Sequence, residues 1–384
     1  MKKVLSLAAA GLLAAGAAQA GTLTVANSDI VLYGGVSASY DWQNNDLGTS
    51  VPSSDSFNVS TFAVGLMKKA DANSPIGFNA AFASFTVPTV FASSNVVNDN
   101  NLIRHGQTTE FIPWLAYVTI APVEGLSIDA GLLWNKYGEA PLTILNRHYT
   151  RGILFTGHPV LYAGARANYD AGIAKVYVGY NQGGGLRQGS LVNLGYNVSD
   201  AVEAGLVFDL SDFVGFGSKV ALHTYNEAKG RDIYVLCTKV DLGLVKAGVE
   251  VDYTRLDDAA DRSNSTATHN PFGYDANADN SAWGFALNLD FDFLNAQIAN
   301  VTVPIRIEYV DNGDSNDGYG SGIYLTGKKS AWSFTVTPTY KPTKNTFARV
   351  EVSYVTTDQQ VFNDDKGNNK DNRTTLAFEA GFLF

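Results

Sequence analysis

The sequence is poor in cysteine, in charge and in long hydrophobic runs. Cys237 is the single cysteine among 384 residues, so no internal disulfide can form and a zinc site built from cysteine pairs is excluded. Charged residues make up only 17% of the chain, against about a quarter in ordinary domains, and no basic patch indicates nucleic-acid binding. Beyond the N-terminal segment no run reaches the length of about 18 apolar residues that a transmembrane helix needs.

The first twenty residues are typical of a bacterial secretory signal peptide. A basic pair, Lys2 and Lys3, precedes a run rich in Leu and Ala, and the segment ends in Ala18-Gln19-Ala20. An A-x-A sequence after a short apolar run is a cleavage pattern, whereas the alternative, an anchor helix, needs a longer run. We therefore expect residues 1–20 to be removed and residues 21–384 to form a single domain exported to the Gram-negative envelope.

The rest of the chain shows strand periodicity, with apolar residues at every second position. In one such segment Trp283, Phe285 and Leu287 alternate with Gly284, Ala286 and Asn288. Successive side chains of a strand point to opposite faces, so each segment has one apolar and one polar face. The runs extend over about 10–13 residues, enough for a tilted strand to cross a bilayer, whereas strands of soluble proteins usually have about 5–6. The pattern predicts an all-β, transmembrane, antiparallel up-and-down barrel of the outer-membrane porin type.

Sixteen strands are predicted. They lie at 29–42, 56–68, 75–87, 109–121, 126–134, 159–170, 173–181, 189–197, 201–210, 231–241, 244–254, 281–293, 302–311, 331–341, 345–356 and 373–384. Two weaker segments, 219–225 and 323–328, are assigned to long loops, and counting both would give eighteen strands. An even number places both termini on the periplasmic side.

The connections between these strands alternate in length. Long ones such as 88–108 and 255–280 follow the odd-numbered strands, and short ones such as 170–172 and 198–200 follow the even-numbered strands. This is the asymmetry between the extracellular loops and the periplasmic turns of outer-membrane barrels. The segments 219–225 and 323–328 would break this rhythm if they were counted as strands.

Aromatic residues agree with this topology. All five tryptophans fall near the predicted extracellular edge, where an aromatic girdle belongs: Trp42, Trp114, Trp134, Trp283 and Trp332. The last strand alternates apolar residues up to the terminal Phe384. This ending resembles the C-terminal signature that the barrel-assembly machinery recognises, so Phe384 is the expected assembly signal and that machinery an expected partner.

Two stretches of sequence resemble a known family. Between Leu115 and Asp170 the chain contains L-A-Y-V-T-I, G-L-S-I-D-A-G-L-L-W-N-K-Y-G-E and N-R-H-Y-T-R-G-I-L-F, and Lys341 to Tyr354 is K-P-T-K-N-T-F-A-R-V-E-V-S-Y. Both are similar to the putative β-barrel porin-2, OmpL-like family. The resemblance implies a water-filled channel in the outer membrane, surrounded by lipid, for passive diffusion of small hydrophilic solutes or ions. By analogy with general porins it suggests a homotrimer.

A barrel of sixteen strands leaves an aqueous channel, and charged groups that line it would set its selectivity. The third long loop, 135–158, is expected to fold into the lumen, by analogy with general porins. Its candidate constriction residues are Lys136, Glu139, Arg147, His148 and Arg151. The alternative is that these charges are solvated on the outer surface or held in salt bridges.

Further charges share the inward phase of the strands and are candidate pore-wall residues: Arg166, Lys175, Arg306, Glu308, Arg349 and Glu351. Arg306 and Glu308, like Arg349 and Glu351, are two positions apart on one face, a spacing that favours cross-strand ladders stiffening the wall. The sign of selectivity stays open, because the net charge of −10 favours cations whereas the candidate constriction is basic.

Enzymatic motifs are absent from the sequence. No G-x-S-x-G elbow or H-E-x-x-H helix occurs, and the five histidines are scattered, so we expect no catalytic residues, no cofactor and no metal. Cys237 has the inward phase of a strand and is expected to be an inert thiol. Two alternatives to a porin are an outer-membrane barrel enzyme, such as a lipase or protease, and a soluble periplasmic β protein that binds a ligand.

Overall fold

The computed structural model describes most of the chain beyond the expected signal peptide. The described residues are 23–24, 29–47, 55–71, 74–91, 103–104, 107–108, 111–140, 142–182, 200–228, 231–256, 281–313, 323–324 and 330–384. The expected signal peptide, residues 1–20, lies outside them.

Sixteen antiparallel strands form one closed barrel. They are β1 (Ile30–Gln43), β2 (Asp55–Lys68), β3 (Ile76–Phe85), β4 (Ile112–Val123), β5 (Leu126–Trp134), β6 (Leu161–Asp170), β7 (Ala174–Gln182), β8 (Asp200–Asp209), β9 (Gly217–Glu227), β10 (Arg231–Asp241), β11 (Val245–Leu256), β12 (Ser281–Asp292), β13 (Val301–Asp311), β14 (Ser330–Val336 and Thr339–Tyr340), β15 (Thr346–Thr357) and β16 (Asn372–Leu383). Each strand pairs with its neighbours in sequence, and β16 pairs with β1 from Gly35 opposite Leu383 to Gln43 opposite Thr375. Closure leaves no unpaired edge among the described strands of the barrel sheet.

The predicted number of strands is confirmed, although one predicted strand differs from the observed one. The segment 219–225, assigned to a loop, lies within β9, which pairs with β8 and β10 along its length. The predicted strand 189–197 lies outside the described residues, and β7 pairs directly with β8. As a result β8 runs opposite to its predicted direction, and its first residue, Asp200, lies at the long-loop end of the barrel rather than after a short turn.

The predicted alternation of faces is visible in β16. Leu376, Phe378 and Phe382 are exposed on the outer surface, whereas Ala377 and Glu379 between them are buried inside. A barrel in lipid requires this reversal of the usual pattern, with apolar groups outside and polar groups inside.

The aromatic girdle is present but does not include every tryptophan. Trp283, Tyr309 and Trp332 form a row at the long-loop rim, with ring centroids 5.1 Å and 4.5 Å apart; the two tryptophans are exposed and Tyr309 between them is half-buried. Trp114 is buried instead, at 1% exposure, against Trp134. A register shift between β3 and β4 at this point breaks the simple alternation on which the girdle prediction relied.

Short turns join the strands at the other rim. They include the connections 124–125, 171–173 and 242–244, and the connection between β8 and β9 contains a short helix, Ser211–Val214. Among the described residues, no helix is long and apolar enough to span a membrane.

Smaller elements accompany the sixteen strands. Leu23–Thr24 pairs with β1, and Asn45–Leu47, Phe362–Asp364 and Asn369–Lys370 form a three-stranded sheet. Ile103–Arg104 pairs with Gln107–Thr108. The connection from β5 to β6, residues 135–160, contains two 3₁₀ turns, Thr143–Leu145 and Leu154–Gly157; we call it the inner loop.

Candidate functional site

The inner loop holds a compact shape through its own polar groups. The Asn146 amide donates to the carbonyls of Ala140 and Leu142, both at 2.7 Å, and its carbonyl accepts from the Ala140 N–H at 2.9 Å. Apolar side chains of the loop, such as Leu142 and Phe155, are buried against inward-facing alanines of β2 and β3. The sequence therefore builds a packed loop rather than an open one.

Two glutamates of the barrel wall bind backbone amides of this loop. Glu351 on β15 accepts from the N–H groups of Tyr149 and Thr150 at 2.6 and 2.9 Å. Glu308 on β13 accepts from Ile153 and Leu154 at 3.0 and 3.3 Å. Bonds between an ionised carboxylate and N–H groups are among the stronger hydrogen bonds of proteins, so these two wall residues fix the loop backbone.

Two arginines of the same strands bind carbonyl groups of the loop. Arg306 donates to the carbonyl of Thr150 at 3.1 Å and to the Glu139 carboxylate at 2.6 Å. Arg349 donates to the carbonyls of Asn146 and Thr143 at 2.8 and 2.9 Å. The wall therefore presents donors and acceptors in alternation, matching the alternation of a peptide backbone.

These contacts carry the loop across the barrel. The loop leaves the wall after β5, and β13 lies eight strands away in a ring of sixteen, which is the opposite wall. At its far side Thr143 donates to Glu379 on β16 at 2.7 Å, and the Tyr149 hydroxyl donates to Asp41 on β1 at 3.1 Å. The inner loop thus crosses the lumen from β5 and is hydrogen-bonded to β13, β15, β16 and β1.

A second loop supports it. Thr89 and Arg151 form a parallel bridge, in which the Val90 N–H donates to the Arg151 carbonyl at 3.0 Å and the Arg151 N–H donates to the Pro88 carbonyl at 2.8 Å. The segment after β3 and the inner loop therefore form one packed layer inside the barrel.

The predicted constriction residues divide into two groups. Lys136, Glu139 and Arg147 keep partial exposure, with 37% for the Arg147 side chain, which lies 3.6 Å from Asp290. His148 and Arg151 are buried beneath the loop, at 2% and 0% exposure. His148 contacts the Thr337 hydroxyl at 2.7 Å, and Arg151 donates to the His148 carbonyl at 3.1 Å. The first group faces lumenal water and the second lies within the packed layer.

Burial and neighbouring charges shift the titration of these loop residues. Burial, and after it the Arg166 guanidinium, lowers the pKa of Lys136 to about 8. Burial and four surrounding arginines hold the pKa of His148 well below its usual range, so this imidazole is neutral at pH 7. Lys136 is therefore the group of this set whose charge changes just above neutral pH.

The predicted wall residues all lie on the inward face, and most are ion-paired. Arg166 binds Glu203 on β8, with Nε 2.7 Å from Oε1, and Lys175 lies 2.9 Å from Asp170. Arg349 and Glu379 form a cross-strand pair of the expected kind. Glu308 lies 3.1 Å from Arg306 and, like Glu351, also accepts from the loop amides, a use that spacing along a strand does not reveal.

Sequence reasoning missed several residues that organise this interior. Glu379 and Glu203 are buried acceptors, and Tyr137 stacks against His223 with centroids 5.3 Å apart. The two glutamates share the inward phase of their strands, which is a signal in the sequence. The contacts of Tyr137 depend on the path of the loop and have no such signal.

Lysines line the short-turn end of the lumen. Lys219 and Lys246 lie 3.5 Å from Asp209 and 2.7 Å from Asp292, respectively. Lys239 has the inward phase of β10, is exposed, and makes no ion pair with any described residue. Lys239 and the half-exposed Arg147 are therefore cations accessible to solutes in the lumen.

Comparison with known proteins identifies related sequences and folds. The sequence matches the family described as putative beta-barrel porin-2, OmpL-like, over residues 29–384. No curated protein matches it. Similar solved structures include the outer membrane channel DcaP of Acinetobacter baumannii, with a TM-score of 0.58, 14% identity and coverage of 95% of this chain and 100% of that one.

Two further structures have similar folds. OmpT, an outer membrane protein of Vibrio cholerae, has a TM-score of 0.56 and 11% identity, covering 95% of this chain and 100% of its own. An anion-selective porin from Comamonas acidovorans has a TM-score of 0.57 and 11% identity, covering 92% of this chain and 99% of its own. At such identities the likeness concerns the fold.

Proposed function

The chain belongs to the putative beta-barrel porin-2, OmpL-like family and is an outer-membrane porin, and we propose that its inner loop constricts the channel and sorts small hydrophilic solutes by size and charge. The observation that carries this proposal is the hydrogen bonding of the loop backbone to Glu308 on β13 and Glu351 on β15. Both strands lie across the barrel from β5, after which the loop begins. A loop held across the lumen at its middle reduces the open cross-section, whatever solute passes.

We further propose a preference for anions. Most basic groups inside the barrel are neutralised by a partner, as Arg166 is by Glu203 and Arg349 by Glu379. Lys239 makes no ion pair with a described residue, and Arg147, although 3.6 Å from Asp290, keeps 37% of its side chain exposed. Exposed charges on a narrow aqueous path attract ions of opposite sign. The net charge of −10 is spread over the whole chain, whereas the basic residues of the inner loop lie in the lumen.

Replacing Arg147 with glutamate is expected to shift the channel toward cations. The change inverts a half-exposed charge and removes the 3.6 Å ion pair with Asp290, while the loop's bonds to Glu308 and Glu351 stay in place. The measurement is the reversal potential of the purified protein in planar bilayers under a salt gradient, recorded from stepwise ion-permeable openings. Lys239→Glu should move the potential in the same direction.

Lys366→Glu is the matched control, because Lys366 is exposed in the connection between β15 and β16, outside the lumen. This variant should keep the wild-type reversal potential. An unchanged potential in both Arg147→Glu and Lys239→Glu would refute the proposed selectivity, and a lack of conductance steps would refute the open channel.

Raising the pH from 7 to 9 is expected to weaken the anion preference. With a pKa of about 8, Lys136 is mostly charged at pH 7 and mostly neutral at pH 9, so a lumenal positive charge is lost as pH rises. The reversal potential measured at half-unit steps should change with a midpoint near pH 8. In Lys136→Met the step should vanish; if it persists, another group is responsible.

From the A-x-A pattern at Ala18-Gln19-Ala20 we also propose that residues 1–20 are a cleaved signal peptide. The lack of catalytic motifs in the sequence supports the proposal that the protein has no enzymatic activity. Phe384 serves as the assembly signal; its backbone is paired with Gly34 at the barrel seam, at 2.9 and 3.0 Å. The homotrimer stays a prediction.

A further inference from the structure

Three potential metal-binding side chains meet where the inner loop returns to the wall. The ring nitrogen Nε2 of His158 lies 2.5 Å from Oδ2 of Asp252 and 3.8 Å from Oε1 of Glu250. One ligand atom from each residue lies within 4.8 Å of the others. This combination of imidazole and two carboxylates differs from an ordinary acidic cluster.

The backbone positions these groups firmly. Glu250 and Asp252 are two residues apart on β11 and therefore share its inward face. His158 ends the second 3₁₀ turn of the inner loop, and its N–H donates to the Phe155 carbonyl at 3.2 Å. The ring of Tyr137 packs edge-on against the imidazole, with centroids 5.0 Å apart. The cluster thus joins the loop to a strand.

The cluster has unused coordinating capacity. Asp252 is fully buried, at 0% exposure, yet its Oδ1 has no hydrogen-bond partner, and neither has Nδ1 of the buried His158. A buried carboxylate oxygen without a partner costs free energy unless it binds a donor or a metal ion. Glu250 keeps 18% exposure of its side chain, which gives lumenal ions access.

A thiol lies beside the Glu250 carboxylate. Cys237 is opposite Glu250 in the pairing of β10 with β11, and its Sγ donates to Oε2 of Glu250 at 3.6 Å. Nitrogen, oxygen and sulfur ligands together are typical of Zn²⁺, whereas Ca²⁺ and Mg²⁺ prefer oxygen ligands alone.

We propose that His158, Glu250 and Asp252 form a zinc site, with Cys237 as the fourth ligand, that ties the end of the inner loop to β11. Zn²⁺ replaces the proton shared by His158 and Asp252, which is released to water, so these two ligand atoms separate from 2.5 Å to the roughly 3.3 Å required by bonds of about 2.0–2.1 Å. The Cys237 thiol loses its proton to water on binding, as coordinating thiols do.

The electrostatic balance at the site favours a cation. Two carboxylates and a thiolate carry three negative charges, against two nearby cations. These are Arg231, which donates to the Gly157 carbonyl and lies 3.9 Å from Glu227, and Lys239, two positions from Cys237 on the inward face of β10. None of the proposed ligands is a residue of the proposed selectivity, so the zinc site goes beyond it.

The test is isothermal titration of the full-length folded protein in detergent with ZnCl₂, and separately with CaCl₂. We expect one Zn²⁺ per chain and no Ca²⁺ at the same concentrations. Asp252→Asn and Glu250→Gln should each weaken zinc binding by at least about tenfold, the lower range for disturbing a metal shell. Because Glu250 is partly exposed, its variant keeps the test valid if Asp252→Asn fails to fold.

His223→Gln is the matched control. His223 is another inward-facing, buried imidazole that packs on Tyr137, but it is bonded to the Tyr177 hydroxyl at 2.8 Å rather than to carboxylates. This variant should bind zinc as the wild type does. Equal zinc affinity in the wild type and both carboxylate variants, or no stoichiometric binding, would overturn the site.

Cobalt substitution tests the fourth ligand. Co²⁺ bound to the wild type should show a sulfur-to-cobalt charge-transfer band that Cys237→Ser lacks, while Cys237→Ser retains weaker zinc binding. A cobalt spectrum that is the same in both proteins would remove Cys237 from the ligand set.

Discussion

Glu351→Ala is expected to release the inner loop and to raise the single-channel conductance. The Glu351 carboxylate accepts from the N–H groups of Tyr149 and Thr150 and from the hydroxyls of Thr150 and Thr337, at 2.6–2.9 Å. Hydrogen bonds to charged groups contribute about 1.5–3 kcal/mol each. Their joint loss therefore removes a large part of the free energy that holds Tyr149 and Thr150 against the wall. The measurement is single-channel recording in planar bilayers, with conductance and open-channel noise compared with the wild type.

The matched control is Glu124→Ala, because Glu124 is an exposed carboxylate in the short turn between β4 and β5. This variant should conduct as the wild type does. Glu308→Ala, which removes the acceptor of Ile153 and Leu154, should act in the same direction as Glu351→Ala. A correctly folded Glu351→Ala barrel with unchanged conductance would show that the loop does not limit the channel.

Arg349→Ala is expected to destabilise the barrel by about 3–5 kcal/mol, the usual cost of removing one partner of a buried ion pair. Arg349 binds Glu379, with Nε 2.8 Å from Oε2, and Glu379 is fully buried. The variant therefore leaves an uncompensated carboxylate inside the wall and two loop carbonyls without their donor. The measurement is the free energy of unfolding in urea, together with the temperature at which the heat-modifiable gel mobility is lost.

A double replacement separates charge from packing. In Arg349→Met with Glu379→Leu, neither charge remains buried, so much of the lost stability should return. Arg349→Lys keeps the charge but not the planar guanidinium that binds Glu379 and two carbonyls together. Its free energy of unfolding should be intermediate between those of the wild type and Arg349→Ala. If Arg349→Ala unfolds at the wild-type urea concentration, the pair contributes nothing to stability.

The barrel could be predicted from the sequence because lipid imposes a strict alternation on every strand. The prediction failed at β9, where the rule is weakest. Its inward face carries the apolar Ala221 and Tyr225, and its outward face the polar Thr224 and Asn226, so neither face stands out. The connection after it, 228–230, is also short although it lies at the long-loop rim. The total of sixteen was therefore reached with one strand misassigned.

The interior was less predictable, because it depends on contacts between distant parts of the chain. The sequence located the loop and its charges, but Arg151 and Arg147, four residues apart, have opposite surroundings: one is fully buried and the other reaches water. Which side of a loop faces the wall is decided by partners such as Glu351 and Glu308. Inverting the charge of Arg151 would therefore disturb loop packing rather than report on selectivity.

The long reach of the inner loop has a consequence for the order of folding. Tyr149 and its acceptor Glu351 are 202 positions apart, and Thr143 and Glu379 are 236 apart. Contacts between such distant residues form late, because the chain between them must be ordered first. The loop is synthesised before β13, β15 and β16 exist to receive it, so its final placement waits until the last strands join the wall. The cross-section that the loop leaves open is therefore fixed only when the barrel closes.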